Sequence, residues 1–385
     1  MLALMAAAAL PVHAEISDTI HPYVLASINH EDNLLRQSDQ ADGPKSDTFK
    51  TTEAGLIVER PIGRQILSGR FSASKVAFDR FDQLDYTGKN AQATLEWHLG
   101  NHWQGHVGAT YTETLAPFSD FHNEERNLRV AKRQFVDGTW RFHPTWELHG
   151  GWSRDKFHFD LPSQRYNNRT EDVAEVGGDY IAGTTSRVGL VARRVKGSYT
   201  DRTGFTSNLL GSEYEQDELK ANIYWYISGN TQLQFLGGSV KRKYPANTSR
   251  DQSGANGRAV FYWTPTGKIK TTTKLWREFS AVEGALISSA LNRGASVEGV
   301  YQVTAKIGAT ALAKTEKRKF SALPGLVVDD LDDSSRSVQA GVNYAIYPSV
   351  LLALNATHDR RTGSRAAGTN SYKANGVSFN VSAQF

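Results

Sequence analysis

The sequence of 385 residues lacks cysteine and, beyond its amino terminus, lacks any long hydrophobic run. Hydrophobic residues make up 39% of the chain and the mean hydropathy is −0.47. No later stretch approaches the roughly 20 apolar residues that a spanning helix requires, which excludes a helical membrane protein. The absence of cysteine fits the oxidising outer envelope of a bacterium, although many soluble proteins share it.

The chain also lacks a long run of basic residues. Its 44 basic and 40 acidic residues are interspersed and leave a net charge of +4. Without a run of lysine and arginine, nucleic-acid binding is not expected. Neither a nucleotide-binding glycine loop nor zinc-type spacing is present, so the sequence predicts no cofactor, no metal ion, no catalytic residues and no enzymatic activity.

What the chain does contain is alternation, most clearly in its last segment, residues 372–385. One face of this segment is apolar and the other is polar, which is the pattern of a strand between lipid and water. The apolar face comprises Val377, Phe379, Val381, Ala383 and Phe385. A strand that ends on an aromatic residue is typical of outer-membrane β-barrels, because the barrel-insertion machinery of Gram-negative bacteria reads such an end. We therefore expect that machinery to be a partner, acting through Phe385.

The amino terminus has the pattern of a secretory signal. Residues 1–10 are apolar, and Val12-His13-Ala14 forms a cleavage-like site before Glu15. A basic start is missing, and a buried helix is the alternative. We expect residues 1–14 to be a signal peptide and residues 15–385 to form a single outer-membrane domain.

Tight turns recur at intervals of roughly forty residues, which suits two strands, one short turn and one longer loop. They lie at residues 60–63, 99–101, 142–145, 181–184, 227–230, 264–267, more weakly at 304–306, and at 347–349. Polar stretches such as 32–45 and 117–127 separate them. Eight short turns and nine long connections predict an all-β, antiparallel up-and-down barrel of about eighteen strands, with sixteen possible and both termini periplasmic.

Alternation also assigns the faces of individual strands. In residues 219–227, Leu219, Ile223 and Trp225 share one face, while Lys220, Asn222 and Tyr224 share the other. Charges facing lipid are costly, so the polar row is expected to line the lumen. The pore-lining residues predicted in this way are Glu96, His98, Gln104, His106, Arg141, Glu147, His149, Glu175, Asp179, Arg187, Lys220, Asn222, Tyr224, Arg258, Tyr262, Lys268, Lys270 and Lys274. Carboxylates dominate the first half of this set and cations the second, which predicts a transverse field.

Two weaker site candidates lie on loops. Asp120 and His122 sit beside Phe118 and Phe121, and an acidic run at residues 329–333 could hold Ca²⁺. Solvated loops are the preferred interpretation of both.

Short motifs near the amino terminus add information that periodicity does not supply. They are Asp18-Thr19-Ile20-His21-Pro22-Tyr23, Asp32-Asn33-Leu34-Leu35-Arg36, Ser46-Asp47-Thr48, Gly55-Leu56, Arg60-Pro61 and Gln65. This set resembles the outer-membrane proteins of exopolysaccharide gene clusters, the EpsL-type branch of the putative β-barrel porin 2 family. The block at residues 32–36 is the most recognisable, and beyond residue 65 the resemblance is one of pattern and length.

The resemblance implies a barrel of about eighteen strands that lets a secreted polysaccharide cross the outer membrane and works with a periplasmic polysaccharide-export protein. Outer-membrane lipid would surround it. Two alternatives remain open. A diffusion porin for oligosaccharides or other nutrients would carry a constriction loop, for which residues 281–291 are the candidate. A surface adhesin would carry long loops and a plugged lumen.

Overall fold

The computed structural model describes residues 19–38, 43–119, 121–183, 186–204, 207, 211–246, 248–281, 289–320, 331–364 and 367–385. Its strands are β1 (Ile20–Glu31), β2 (Asp47–Ile62), β3 (Gln65–Phe78), β4 (Tyr86–Leu99), β5 (Trp103–Leu115), β6 (Leu128–His143), β7 (Trp146–Phe159), β8 (Arg169–Ile181), β9 (Arg187–Ser198), β10 (Glu213–Ser228), β11 (Thr231–Lys243), β12 (Gln252–Thr266), β13 (Ile269–Ala281), β14 (Ser289–Gln302), β15 (Ile307–Phe320), β16 (Asp332–Tyr347), β17 (Val350–Thr362) and β18 (Tyr372–Gln384). Short 3₁₀ helices cover Asp82–Leu84, Pro162–Asn167 and Thr248–Arg250. In these ranges, no helix has the length and apolar character needed to cross a membrane.

The strands form one closed sheet. Each pairs antiparallel with its neighbours in sequence, and β1 pairs with both β2 and β18. Closure leaves no edge strand, so every strand is paired on both sides. The predicted antiparallel up-and-down barrel is confirmed, and its strand number is eighteen rather than sixteen.

Short and long connections alternate around the barrel, as the turn spacing predicted. Residues 63–64 and 348–349 are short connections, whereas 116–127 and 199–212 are long ones. Gly63 and Gly100 adopt φ of 63° and 59° in the short turns, a conformation that glycine adopts without a steric penalty. The weakest predicted turn is present at residues 303–306, where the amide of Val303 donates to the carbonyl of Ile307 at 2.9 Å. Both described ends of the chain lie at the short-turn end, which is the periplasmic end.

The pairing register defines two faces, because directly opposite residues in an antiparallel sheet share a face. The outward face is apolar and exposed. It carries Val24, Leu56, Phe71, Val107, Val136, Trp152, Val176, Leu190, Leu219, Phe235, Leu275, Val297, Val338, Leu354 and Val377. On β10 this apolar run extends from Leu219 to Ile227, which is about 27 Å along the strand and about 21 Å across a membrane at a ~40° tilt. That height suits a bilayer core.

An aromatic belt marks the periplasmic edge of this apolar band. Trp103 lies opposite Trp140 with their rings stacked at 5.2 Å, and Trp146 lies opposite Tyr180 at the same ring separation. Tyr301 continues the belt on β14. Aromatic rings prefer the interface between lipid and water, so the belt fixes the depth of the barrel at this end.

Candidate functional site

The inward face of the barrel is the candidate functional site, since it carries most of the charged and polar side chains of the wall, with a few apolar ones such as Val191, Val260 and Val300 among them. The register places Glu96 opposite His106 and Glu147 opposite Asp179 on this face. Every predicted pore-lining residue that lies in a strand and has a pairing partner occupies an inward position in this register. Lys268 lies in the short turn between β12 and β13, at the periplasmic rim rather than on the wall. That these side chains line a conducting pore stays a prediction.

Glu147 on β7 is the most deeply buried carboxylate of the wall, with 1% of its surface exposed. Its two oxygens face two cations: Arg141 Nη2 at 3.3 Å and Arg187 Nη1 at 2.7 Å. Two cations therefore enclose one anion, and both are themselves only partly buried. These three side chains carry one net positive charge near the periplasmic end, and the carboxylate of Asp179 lies directly opposite Glu147.

A second polar cluster adjoins the first. Asp179 lies 3.3 Å from Nε2 of His149, and it accepts hydrogen bonds from the side-chain amide of Asn222 at 3.1 and 3.4 Å. Asp179 is 3% exposed, so this carboxylate has been removed from bulk water and needs those partners. The cluster ties β7, β8 and β10 together across the inner surface.

A third cluster centres on Glu218 of β10. Lys220 lies 2.6 Å and Arg193 3.8 Å from the same oxygen of Glu218, and Asn256 donates to the other oxygen at 2.9 Å. Glu218 was not among the predicted residues, although its alternation with Lys220 placed it on the polar face.

The sequence predicted that carboxylates line the first half of the barrel wall and cations the second half. The ion pairs of the wall show that this separation is incomplete. Inward cations occur in the first half, such as Arg133 with Asp155 at 3.2 Å. Inward carboxylates occur in the second half, such as Glu278 with Arg258 at 2.7 Å. Most wall charges are therefore compensated by a side chain on the same or an adjacent strand. Lys270 and Lys274 are exceptions, because neither has an ion pair with any residue that the structure describes.

A strip of exposed tyrosines and half-buried glutamines occupies the periplasmic half of β10–β12. Tyr226 lies opposite Gln232, which in turn lies opposite Tyr262. Tyr224 lies opposite Gln234 one inward position higher. The exposed fraction is 38% for Tyr224, 46% for Tyr226 and 37% for Tyr262, although all three side chains lie on the inward face. The strip offers ring faces and amide groups to whatever fills the lumen.

At the extracellular end, connections between strands fold inward and cover the wall. Leu34 and Leu35, in the connection after β1, are buried against inward aromatic residues of β2 and β3. The full apolar cluster comprises Leu34, Leu35, Phe49, Val76, Phe78, Phe81 and Leu84, with Tyr86, Leu115 and Phe118 packed against it. The motif at residues 32–36 therefore has a structural role, since it places two leucines under the barrel mouth.

Polar residues of the same motif hold it in place. The side chain of Asn33, which is fully buried, donates to the carbonyls of Gln37 and Lys373 at 2.8 and 2.9 Å. Asp32 accepts from the backbone and side-chain amides of Asn375 at 2.7 and 2.6 Å. Arg36, at φ 55°, contacts Glu31 and lies 3.5 Å from Asp359. Burial opposes the charge of Arg36, but these two carboxylates outweigh it and raise its pKa.

The connection between β5 and β6, residues 116–127, reaches across the mouth. Arg361, on the inward face of β17, donates a hydrogen bond to the carbonyl of Ser119. His122 lies 3.1 Å from the carbonyl oxygen of Leu35, with its ring 6.5 Å from that of Tyr372. Lys45 pairs with Glu124 at 2.6 Å. We call residues 116–127 the bridging loop. A solvated loop was expected here, with Asp120 and His122 as a weak site candidate. Asp120 lies outside the described residues, and for the described ones the expectation is wrong, because His122 and Phe118 pack against other parts of the chain.

The opposite side of the mouth is built from stacked arginines and tyrosines. Arg202 lies over the ring of Tyr199 at 3.4 Å, and Arg242 over that of Tyr214 at 4.5 Å. Arg202 also donates to the carbonyl of Gly211 at 2.9 Å. Burial raises the pKa of Tyr199, with Arg169 opposing, so the phenol is protonated throughout the physiological range. Cation–π contacts of this kind hold the guanidinium groups against the tyrosine rings.

The acidic run at residues 329–333 is only partly described. Asp333 is buried between Arg318 and Arg361, at 2.7 and 3.0 Å. It is therefore a structural ion pair of β15–β17 and not a solvated loop tip. In the described ranges no group of three or more potential metal ligands occurs. Residues 282–288, in the middle of the predicted constriction loop, lie outside the described residues.

Comparison with known families identifies the carboxy-terminal part. Residues 227–385 match the model of the family described as Putative beta-barrel porin 2. For residues 227–385 this match confirms the putative β-barrel porin 2 family, and the EpsL-type branch stays a prediction. Among curated proteins, none matches this sequence.

Solved structures with a similar fold are outer-membrane proteins. OccAB3 of Acinetobacter baumannii is 12% identical with a TM-score of 0.50, covering 96% of this chain and 100% of that chain. The outer membrane protein opdK of Pseudomonas aeruginosa is 12% identical with a TM-score of 0.50, covering 96% and 98%. A BenF-like porin of Pseudomonas fluorescens Pf-5 is 11% identical with a TM-score of 0.51, covering 96% and 99%. At such identities the likeness shows the fold, which is that of a porin-like channel in the bacterial outer membrane.

Proposed function

We propose, from the membership of residues 227–385 in the putative β-barrel porin 2 family, that this channel lets a secreted polysaccharide cross the outer membrane. A barrel of eighteen strands is wide enough for an aqueous path. Transport would be passive and would draw its direction from polymer synthesis or from a periplasmic export protein. The aromatic end at Phe385 suits recognition by the barrel-insertion machinery.

The observation that carries the proposal is the strip formed by Tyr224, Tyr226, Gln232, Gln234 and Tyr262. Its rings are exposed inside the barrel, where ring faces can stack on sugar rings and amides can exchange hydrogen bonds. Each contact is weak, which suits a sliding polymer, because tight binding at any site would halt transport. The ion pairs of the wall also favour weak binding, because a charge that is compensated by a neighbouring side chain attracts a charged sugar less strongly.

Deletion of the gene in its host tests the proposal, with surface and periplasmic polysaccharide measured separately. We expect surface polymer to be lost, periplasmic polymer to accumulate, and the wild-type gene to restore export. Normal surface polymer in the deletion strain would overturn the proposal.

Complementation with variants tests the strip itself. The triple variant Tyr224→Ala, Tyr226→Ala, Tyr262→Ala should restore export less well than the wild type. A matched control replaces three outward tyrosines, Tyr180, Tyr301 and Tyr344, with alanine. If both triple variants export alike at equal barrel abundance, the strip has no role in transport.

The second candidate is a diffusion porin for oligosaccharides or other small solutes. The bridging loop favours it, because the contacts of Ser119 and His122 hold a chain segment across the extracellular mouth. For polymer export this loop must move aside, whereas small solutes can pass beside it. Liposome swelling by a size series of oligosaccharides, with export intact in the deletion strain, would select this function.

A further inference from the structure

The outward face of β13–β18 carries a row of cations just above the apolar band on the extracellular side. The row comprises Arg277, Arg293, Lys317, Arg336, Arg360 and Lys373, and we call it the outer basic row. Each member lies at an outward register position, and all but the half-buried Arg277 are exposed. Val338 lies directly below Arg336, and Val377 lies two outward positions below Lys373; both side chains are exposed on the outward face.

Members of the row face each other across neighbouring strands. Arg277 lies directly opposite Arg293, and Arg293 opposite Lys317. Arg336 lies opposite Arg360, and Arg360 opposite Lys373. Like charges directly opposite in an antiparallel sheet destabilise it. Four such contacts in one row therefore call for a counter-charge.

The chain does not supply that counter-charge. Arg293, Lys317, Arg336, Arg360 and Lys373 make no ion pair with any residue in the described part of the chain. The one acidic side chain at outward positions of β13–β18, within the same described ranges, is Asp332, which lies opposite Lys319 at the upper edge.

The other side of the barrel behaves differently at the same height. On the outward face of β7–β10, Arg154 pairs with Asp172 at 2.7 Å, and Arg194 pairs with Glu215 at 2.6 Å. Lys196 also pairs with Glu215, at 3.3 Å. That sector therefore compensates Arg154, Arg194 and Lys196 within the chain. Among the described residues it also holds one uncompensated outward contact, Lys156 of β7 opposite Lys132 of β6, whereas the outer basic row joins six cations.

We propose that the outer basic row binds the phosphate groups of the glycolipid that forms the outer leaflet of the bacterial outer membrane. Arg277 and Arg336 lie one outward position above Leu275 and Val338, and Lys373 lies two above Val377, which is roughly 7 to 14 Å along the strand. This places the row beside the apolar core, in the layer of lipid headgroups. Guanidinium groups suit phosphate because they offer paired donors in a planar fork. Cations beside an anionic headgroup layer are attracted to it within about a Debye length.

Binding of purified lipid A to the full-length barrel in detergent tests the proposal, with retained lipid counted by native mass spectrometry. The probes are lipid A with both phosphates, enzymatically dephosphorylated lipid A, and inorganic phosphate. We expect the wild type to retain the phosphorylated lipid and to release the dephosphorylated one. Inorganic phosphate at equal concentration should not displace the lipid, because the acyl chains also contact the apolar band.

The test variant is Arg293→Gln, Arg336→Gln, Arg360→Gln, and the matched control is Arg154→Gln, Arg194→Gln, Lys196→Gln. Lipid A affinity should fall at least tenfold in the test variant and stay near the wild-type value in the control. Heat-modifiable migration on gels checks that each barrel is folded. The single variant Arg336→Gln, expected to show a smaller loss, serves if the triple variant does not fold.

Thermal unfolding gives a second readout that a purely structural role would not produce. Without lipid, the test variant should unfold at the same temperature as the wild type or higher, because repulsion in the row is removed. Added lipid A should raise the midpoint of the wild type more than that of the variant. Equal lipid A retention by the test variant and the wild type, or retention that ignores the phosphates, would overturn the proposal.

Discussion

Arg361 on β17 donates a hydrogen bond to the backbone carbonyl of Ser119, a residue of the bridging loop between β5 and β6. Five strands of the barrel wall separate β17 from β5, so this contact spans the mouth rather than following the wall. Arg361 is itself fixed by Asp333 at 3.0 Å. One wall side chain thus anchors the middle of the loop.

Replacing that side chain should release the loop. A hydrogen bond from a charged group contributes about 1.5–3 kcal/mol, so Arg361→Gln should raise the population of the detached loop roughly tenfold to a hundredfold. Single-channel recording in planar bilayers should show a higher mean conductance and more frequent transitions. Arg360→Gln, the outward neighbour on the same strand, is the control. Identical traces for all three proteins would mean that the bridging loop does not narrow the path.

Leu35 is fully buried in the apolar cluster at the mouth. Leu35→Ala removes packing worth about 2–5 kcal/mol, and the loss should be local because the barrel ladder does not depend on it. Hydrogen exchange of residues 32–38 should accelerate, and proteases should cut there. Leu219→Ala, on the lipid-facing side at 56% exposure, should leave this segment protected. Unchanged protection in Leu35→Ala would contradict the packing role of the motif.

The cluster of Glu147, Arg141 and Arg187 predicts an effect on ion selectivity. Glu147→Gln removes the anion and leaves both cations facing the lumen. One charge at about 4 Å in water contributes about 1 kcal/mol, so the anion-to-cation permeability ratio should rise by up to about fivefold. Reversal potentials in a salt gradient measure it. Asp172→Asn, an outward carboxylate, should leave the ratio unchanged, and a shift of equal size there would exclude a lumenal origin.

The stacked pair Trp103 and Trp140 should stabilise the barrel beyond the area that each ring buries. Their rings are 5.2 Å apart with an interplanar angle of 5°. A double-mutant cycle with Trp103→Ala and Trp140→Ala should give a coupling of about 0.5–1.5 kcal/mol in the free energy of unfolding from urea titration in lipid. A cycle with Trp103 and Trp263, which are not paired, should give a coupling near zero. A negligible coupling for the stacked pair would show that the two rings act independently.

Much of this architecture could be predicted from the sequence, because its signals are local. Turn residues such as Gly63 and Gly100 mark strand ends, and alternation around Lys220 assigns faces without knowledge of any partner. The number of strands and the assignment of residues to the two faces could therefore be predicted from turn residues and alternation alone.

Features that depend on register were not predictable. Asp333 looked like part of a solvated acidic loop, and its partners Arg318 and Arg361 become neighbours only when β15, β16 and β17 are aligned. The outer basic row arises in the same way, since Arg293 and Lys317 are distant in sequence but opposite in space. For the bridging loop, the sequence contained one weak indication of packing, namely the aromatic residues Phe118 and Phe121 within a polar stretch.

The seam between β1 and β18 has a consequence for how the protein is made. Tyr23 pairs with Gln384 and Glu31 with Gly376, so the first and last strands complete each other. No intermediate that lacks either strand can close, and each would present two unpaired edges. Contacts between such distant positions form slowly in folding. Synthesis must therefore finish before the wall is sealed, and a truncated or stalled chain stays recognisable to envelope proteases by its open edges.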